Sequence, residues 1–191
     1  MGRQHKEKRT KPQRRRNPFL YLCGWIFQII LVMLFAYVLV YFFGQSRTNV
    51  GQSMDATISG GDKVLLDELT YKFSAPKRGD IIAFKPNGSE NSHSYIKRVI
   101  GLPGETIQII DGMIYINGNV YLEEKDYPAI TDAGLASEPI TLSSTEYFVL
   151  GDNRNNSEDS RYADVGNVET SDIEGKVWFI ISPSEHFGFV N

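Results

Sequence analysis

Thr106-Ile-Gln-Ile-Ile-Asp-Gly-Met-Ile-Tyr-Ile-Asn-Gly-Asn-Val-Tyr-Leu122 decides the fold class. Short β-favouring runs alternate here with Asp111-Gly112 and Asn117-Gly118, the residue pairs of tight hairpins in which φ turns positive. The stretch predicts a meander of antiparallel strands. Runs of the same kind lie on both sides of it: Lys63 to Asp67, Asp80 to Lys85, Tyr95 to Ile100, Glu146 to Leu150 and Lys176 to Ile181. Gly60-Gly-Asp62, Arg78-Gly-Asp80 and Pro103-Gly104 punctuate them. Residues 123–145 are polar and weakly patterned, and read as an excursion from the sheet. The expectation for residues 44–191 is one mainly β domain, large enough to hold its own core.

Upstream of this domain the pattern changes. Phe19 to Phe43 is a run of 25 residues without a formal charge, with Gln28 its only strongly polar side chain. As a helix it would reach about 37 Å, more than the roughly 30 Å hydrocarbon core of a bilayer. Phe19, Tyr21 and Trp25 crowd one end, and Tyr37, Tyr41, Phe42 and Phe43 the other, where aromatic rings favour the membrane interface. Core helices of soluble proteins rarely run this long without a charge. Residues 19–43 therefore read as a transmembrane helix. The run is longer than the usual core of a cleaved signal peptide, and no Ala-x-Ala follows it, so it reads as a retained anchor.

Charge sets the orientation. Residues 1–18 carry eight Lys and Arg against the single acid Glu7, which predicts a cytoplasmic tail and an extracytoplasmic domain. Residues 44–191 carry twelve Lys and Arg against 22 Asp and Glu, a split hidden by the whole-chain charge of −3. A basic tail beside a span is more simply explained by anionic lipid than by nucleic acid. Cys23, the only cysteine, lies in the span. The outer domain therefore has no internal disulfide and no thiol nucleophile, which excludes sortase-type chemistry.

Three features of the outer domain bear on chemistry. Ser53, in Val50-Gly-Gln-Ser-Met-Asp-Ala-Thr-Ile58, lies about ten residues beyond the span. Lys97 lies in the apolar run Tyr95 to Ile100, with Tyr95 and Val99 on its own strand face to strip water from the amine. A lysine serves as a base only when its pKa falls by about three units, which burial can do, whereas the neighbouring Arg98 does not surrender a proton. His93 and His186 read as solvated loop residues; the sequence leaves a Ser-His-Asp triad open but gives it no support. The third feature is Gly151-Asp-Asn-Arg-Asn-Asn-Ser-Glu-Asp-Ser-Arg161, eleven residues without an apolar side chain. It reads as an exposed turn, a calcium loop through Asp152, Asn153, Glu158 and Asp159, or a hydrogen-bonded support for a site. Its spacing does not match an EF-hand, and its arginines favour ion pairs such as Asp159 with Arg161.

Taken together, Gly51-Gln-Ser-Met54 with Gly61-Asp62, Arg78-Gly-Asp80, Lys97-Arg-Val-Ile-Gly-Leu-Pro-Gly-Glu105 and Gly151 to Arg161 resemble the type I signal peptidases in order and spacing. The single span and compact outer domain resemble the Gram-positive branch of these Ser-Lys membrane proteases. The resemblance implies a β-rich fold with a smaller β-insertion, here within about 105–147. It implies removal of signal peptides from exported preproteins, with Ser53 as nucleophile and Lys97 as general base. By the same resemblance, the Ser53 N–H helps hold the oxyanion; a side-chain donor found in some members is missing because Gly51 occupies its position. Ser157 would orient Lys97, Asp159 and Arg161 would brace the loop, and Asp152, Arg154 and Arg98 would support it. Met54 is expected to touch substrate or lipid, and Ile58, Ile82 and Val99 to wall the substrate pockets.

The family usually continues Ser-Met-x-Pro-Thr-Leu, whereas this chain has Ala56 at the proline position. That substitution is expected to loosen the backbone after the nucleophile and retune cleavage. Expected partners are preproteins with Ala-x-Ala-like cleavage sites, bound as an added β-strand, together with membrane lipid; the resemblance leaves room for contact with secretion machinery. No metal or organic cofactor is implied, since no cluster has a convincing ligand spacing. A non-proteolytic assembly factor for surface proteins or pili is the alternative, disfavoured because Ser53 and Lys97 are both present. A self-cleaving repressor would need a DNA-binding domain, which residues 1–43 do not offer.

Overall fold

The computed structural model describes residues 18–89 and 92–190; the basic tail lies, but for Pro18, outside them. The chain divides into two compact units that part between Val38 and Leu39. A single helix, α1 (Pro18–Phe43), opens the described chain. Proline suits its first turn, where the missing N–H has no helical partner. Every side chain described from Pro18 to Tyr41 is exposed. A helix of this length that is apolar all round has the composition of a membrane span. Pro18–Tyr41 has a mean hydropathy of 2.4 and is the one helical segment, among the described residues, long and apolar enough to cross a membrane.

The remainder is β-rich, as the sequence pattern indicated. Strands β1 (Gln45–Thr48), β2 (Lys63–Asp67), β3 (Ile81–Phe84), β4 (Tyr95–Gly101), β9 (Glu146–Leu150), β10 (Val168–Glu169) and β11 (Ile173–Ser182) form the larger sheet. Their order is β1-β2-β11-β3-β4-β9-β10, with β12 (Gly188–Phe189) also pairing β11. A smaller sheet has the order β7-β6-β5-β8, from β5 (Thr106–Ile110), β6 (Met113–Ile116), β7 (Asn119–Val120) and β8 (Ile140–Thr141).

The two dipeptides set the smaller sheet's turns. Asp111 and Gly112 have φ of 51° and 78°, Asn117 and Gly118 of 52° and 77°, the left-handed pairs of a type I′ turn. Ile107 and Ile109 then pair with Ile116 and Ile114 on one face. These four join Ile100, Phe148 and Leu150 of the larger sheet in a shared core. Gly101 makes that approach possible: a Cβ there would lie 2.8 Å from atoms of Ile107, Leu142 and Phe148. Two further clusters pack the larger sheet, one around Met54, Ile58, Val64 and Ile96, the other around Ile82, Phe84, Val99 and Val149.

Candidate active site

Between β1 and β2 the chain makes a turn that carries Ser53. Asn49, only 3% exposed, pins its two ends: the side-chain amide donates to the carbonyls of Ile58 (3.1 Å) and Ser59 (3.0 Å). Asp62 closes the turn by accepting from the Ser59 N–H at 2.8 Å. Met54 and Ile58, fully buried, anchor the turn in the core beneath it. With residue 54 directed inward, Ser53 is left facing a cleft of about 870 Å³, whose wall includes Tyr95, Lys97, Ser157 and Tyr162.

Lys97 reaches this cleft from β4. Its Nζ lies 2.5 Å from Ser53 Oγ and donates to it, and the ring centre of Tyr95 lies 5.5 Å from the same nitrogen. Lys97 is 3% exposed. Burial pushes its pKa down from 10.5 to about 8, against the opposing fields of Asp159, Glu158 and Asp152. The amine is therefore within reach of its neutral form near neutral pH, and it is in contact with a hydroxyl.

The polar loop bonds to the backbone of the Ser53 turn and to Arg98, the neighbour of Lys97. Asp152 receives Arg98 through two bonds of 2.8 and 2.7 Å, and Thr57 Oγ1 donates to it at 2.6 Å. Asp159 receives Arg161 at 2.8 and 2.9 Å, the Gly151 N–H at 3.0 Å and the Ser157 hydroxyl at 2.7 Å. Those carboxylates are occupied by guanidinium groups, an arrangement unlike an open calcium cage. The loop also docks on the Ser53 turn: the Asn153 N–H donates to the Ser53 carbonyl and its side chain to the Gln52 carbonyl, both at 3.0 Å. The fit is tight, since a Cβ on Gly151 would fall 2.2 Å from Ser157 Oγ and 2.4 Å from the Ser53 carbonyl oxygen.

Several expectations change. Met54 does not face the cleft; it is fully buried, because the backbone coils from Met54 to Ile58 and brings both side chains into the same core cluster. Ile58, Ile82 and Val99 are likewise fully buried and do not form pocket walls. Ser157 lines the cleft, but its hydroxyl donates to Asp159. His186 is not simply solvated: its Nδ1 lies 2.9 Å from Asp62, whose hydrogen bond raises the imidazole pKa. His93 is exposed on the cleft wall. Gly51 has φ of +88°, with open space where a Cβ would stand. Ala56 has φ of +91°, far from the −65° to which proline is locked. The turn is thus a different conformation, not a loosened version of a proline turn. Asn49 and Thr57 are supporting residues that the sequence did not single out. The signal for Thr57 was its place in the Thr-Ile pair after Ala56, on the same turn as Ser53.

Among known proteins, the family model for signal peptidase, peptidase S26, matches residues 22–182. Probable signal peptidase I-2 of Synechocystis sp. is 35% identical over 125 residues, 63% of this chain and 56% of that protein. Signal peptidase I of Leptolyngbya laminosa is 38% identical over 154 residues, 77% of this chain and 73% of its own. Signal peptidase I P of Bacillus subtilis subsp. natto is 31% identical over 185 residues, 93% of this chain and 94% of its own. A family match over most of the chain, with a hydroxyl–amine pair in the cleft and an apolar helix before it, leads to one assignment: the chain belongs to the signal peptidase family, peptidase S26, and is a membrane-bound hydrolase that removes signal peptides from exported preproteins.

Proposed function

We propose that Ser53 and Lys97 carry out this cleavage as a two-residue catalytic unit. The 2.5 Å contact between Lys97 Nζ and Ser53 Oγ is the observation that carries the reading. With its amine neutral, Lys97 accepts the Ser53 proton as Oγ attacks the carbonyl carbon of the scissile bond. The C–N bond then breaks, and Lys97 returns the proton to the leaving amine, the new N-terminus of the mature protein. Water, deprotonated by the same amine, releases the acyl group from Ser53. The Ser53 N–H serves as one oxyanion donor, and Gly51 contributes space rather than a hydroxyl. Ser157, Asp159 and Arg161 hold the loop that backs the pair.

Substrate enters as an added strand. β9 pairs with β4 only from Arg98 to Gly101, which leaves Tyr95 to Lys97 unpaired on the side of the cleft among the described residues. An extended segment with small side chains, of the Ala-x-Ala kind, fits such an edge beside Ser53. The charge split of the chain supports a cytoplasmic tail over residues 1–18 and an extracytoplasmic catalytic domain over 44–191. The smaller sheet, Thr106 to Thr141, supports an insertion within about 105–147.

The test is cleavage of an Ala-x-Ala preprotein by the full chain in lipid, with the product N-terminus sequenced. A single cut directly after the second alanine is expected, and it should disappear when that alanine is replaced by leucine. Cleavage indifferent to that replacement would refute the small-pocket reading.

A further inference from the structure

The buried carboxylates of the polar loop are fewer than the buried arginines around them, and its third acid, Glu158, is exposed. Arg98 is matched by Asp152 and Arg161 by Asp159, which leaves Arg154, only 1% exposed, needing a carboxylate from elsewhere. It comes from 31 residues earlier. Glu123, just past β7, receives Arg154 Nη1 and Nη2 at 2.5 and 2.6 Å, and the ring of Tyr127 covers the guanidinium at 4.1 Å from its carbon. Both are partly buried. A planar fork held end-on by a carboxylate and capped by an aromatic face is fixed in direction as well as in charge.

Arg154 passes that constraint to the site. Its Nε donates to the Gly151 carbonyl at 3.1 Å, and its own carbonyl accepts from Arg161 Nη2 at 2.7 Å. Gly151 abuts the Ser53 carbonyl and Ser157, while Arg161 fixes Asp159. The segment grips the loop again where the Thr131 N–H donates to Asn155 Oδ1 at 2.9 Å. We infer that Glu123 and Tyr127 are positioning residues for the reaction: through Arg154 they hold Gly151 to Asn153 against the backbone of Ser53 and so set the nucleophile's place relative to Lys97. The inference rests on the Ser53–Lys97 reading for its effect on catalysis. It gives the segment between β7 and β8 of the smaller sheet a part in the chemistry, although none of its residues lines the cleft.

The electrostatic reason is specific. Without Glu123, a buried guanidinium loses its counter-charge, and the buried carboxylates of the loop already serve Arg98 and Arg161. Arg154 then competes for Asp152 or Asp159, and the loop is displaced from Ser53.

The experiment compares wild type, Glu123→Gln, Tyr127→Leu and the paired variant Glu123→Leu/Arg154→Met, all as full chains in detergent. The paired change removes both charges together, and such replacements are often neutral for stability, so it separates positioning from folding. Two quantities are read: preprotein cleavage kinetics, and hydrogen exchange at the Gly151 and Asn153 amides. Glu123→Gln and the paired variant are expected to lose roughly 10- to 100-fold in kcat, the effect of a small misplacement, with KM within about twofold. Exchange at Gly151 and Asn153 should quicken while that in β4 and β9 is unchanged. Tyr127→Leu should move both readouts in the same direction by less. A folded paired variant with wild-type kcat and wild-type exchange would overturn the inference. Faster exchange in variants of a wild type that cuts no preprotein would instead refute the Ser53–Lys97 reading and leave the clamp standing.

Discussion

Replacing Lys97 with methionine should abolish cleavage and yet make the protein more stable at neutral pH. Methionine keeps most of the apolar stem of lysine and removes the ammonium of a residue that is 3% exposed. The fall in pKa from 10.5 to about 8 means that folding works against the charged amine. At about 1.4 kcal/mol per unit, that opposition is worth about 3 kcal/mol. Loss of the bond to Ser53 returns about 1 kcal/mol, which leaves a net gain of about 2 kcal/mol at pH 7. The sign with pH follows from proton binding. Between pH 8 and 10.5 the unfolded state holds a proton on Lys97 that the folded state has released, so wild-type stability rises with pH across that window. The advantage of Lys97→Met should therefore be full below pH 8 and gone near pH 10.5. Reversible denaturant unfolding of both proteins in detergent, at pH 7 and pH 10, measures it. The same shift requires kcat/KM to climb about tenfold per pH unit below pH 8 and level off above it, because only the neutral amine acts. A variant no more stable than wild type at pH 7, with a gap indifferent to pH, would refute the depressed lysine.

Other changes probe the support around the pair. Gly151→Ala drives a methyl into Ser157 and the Ser53 carbonyl, and is expected to lower kcat by roughly 100-fold; a folded variant of wild-type rate would show the fit to be slack. Asp152→Ala removes both bonds that Asp152 accepts from the buried Arg98 and should cost about 3–5 kcal/mol in denaturant unfolding, with Thr57 also losing its acceptor. Ala56→Gly relieves the φ of +91° and should add up to about 1 kcal/mol, whereas Ala56→Pro cannot adopt that angle and should destabilise by more than about 1 kcal/mol; equal thermal midpoints for all three would contradict the observed turn.

What the sequence disclosed and what it withheld divide along physical lines. The meander was legible because Asp111-Gly112 and Asn117-Gly118 encode their turns locally. β4 was legible because Tyr95 to Ile100 carries apolar residues on both faces around Lys97 and Arg98, as suits a central strand. β1 was not, since Gln-Ser-Arg-Thr has no apolar residue and is a strand only by virtue of the edge of β2. The two-residue strands β8, β10 and β12 likewise exist through their partners. At the site, Ser53 and Lys97 were picked out by residue chemistry together with the family resemblance. Met54 was misread because adjacency in sequence says nothing about which way a turn directs each side chain. The pairing of Arg154 with Glu123 joins positions 31 apart across an irregular segment, and no local pattern marks such a contact.

The central claim is that one hydroxyl and one amine, 2.5 Å apart, do the cutting. The most direct measurement sets wild type, Ser53→Ala and Lys97→Ala side by side on one preprotein in lipid, with circular dichroism showing that all three are folded. The account expects wild type alone to release the mature protein. Cleavage that survives the loss of Lys97 would contradict it, and would mean that another group takes the proton from Ser53.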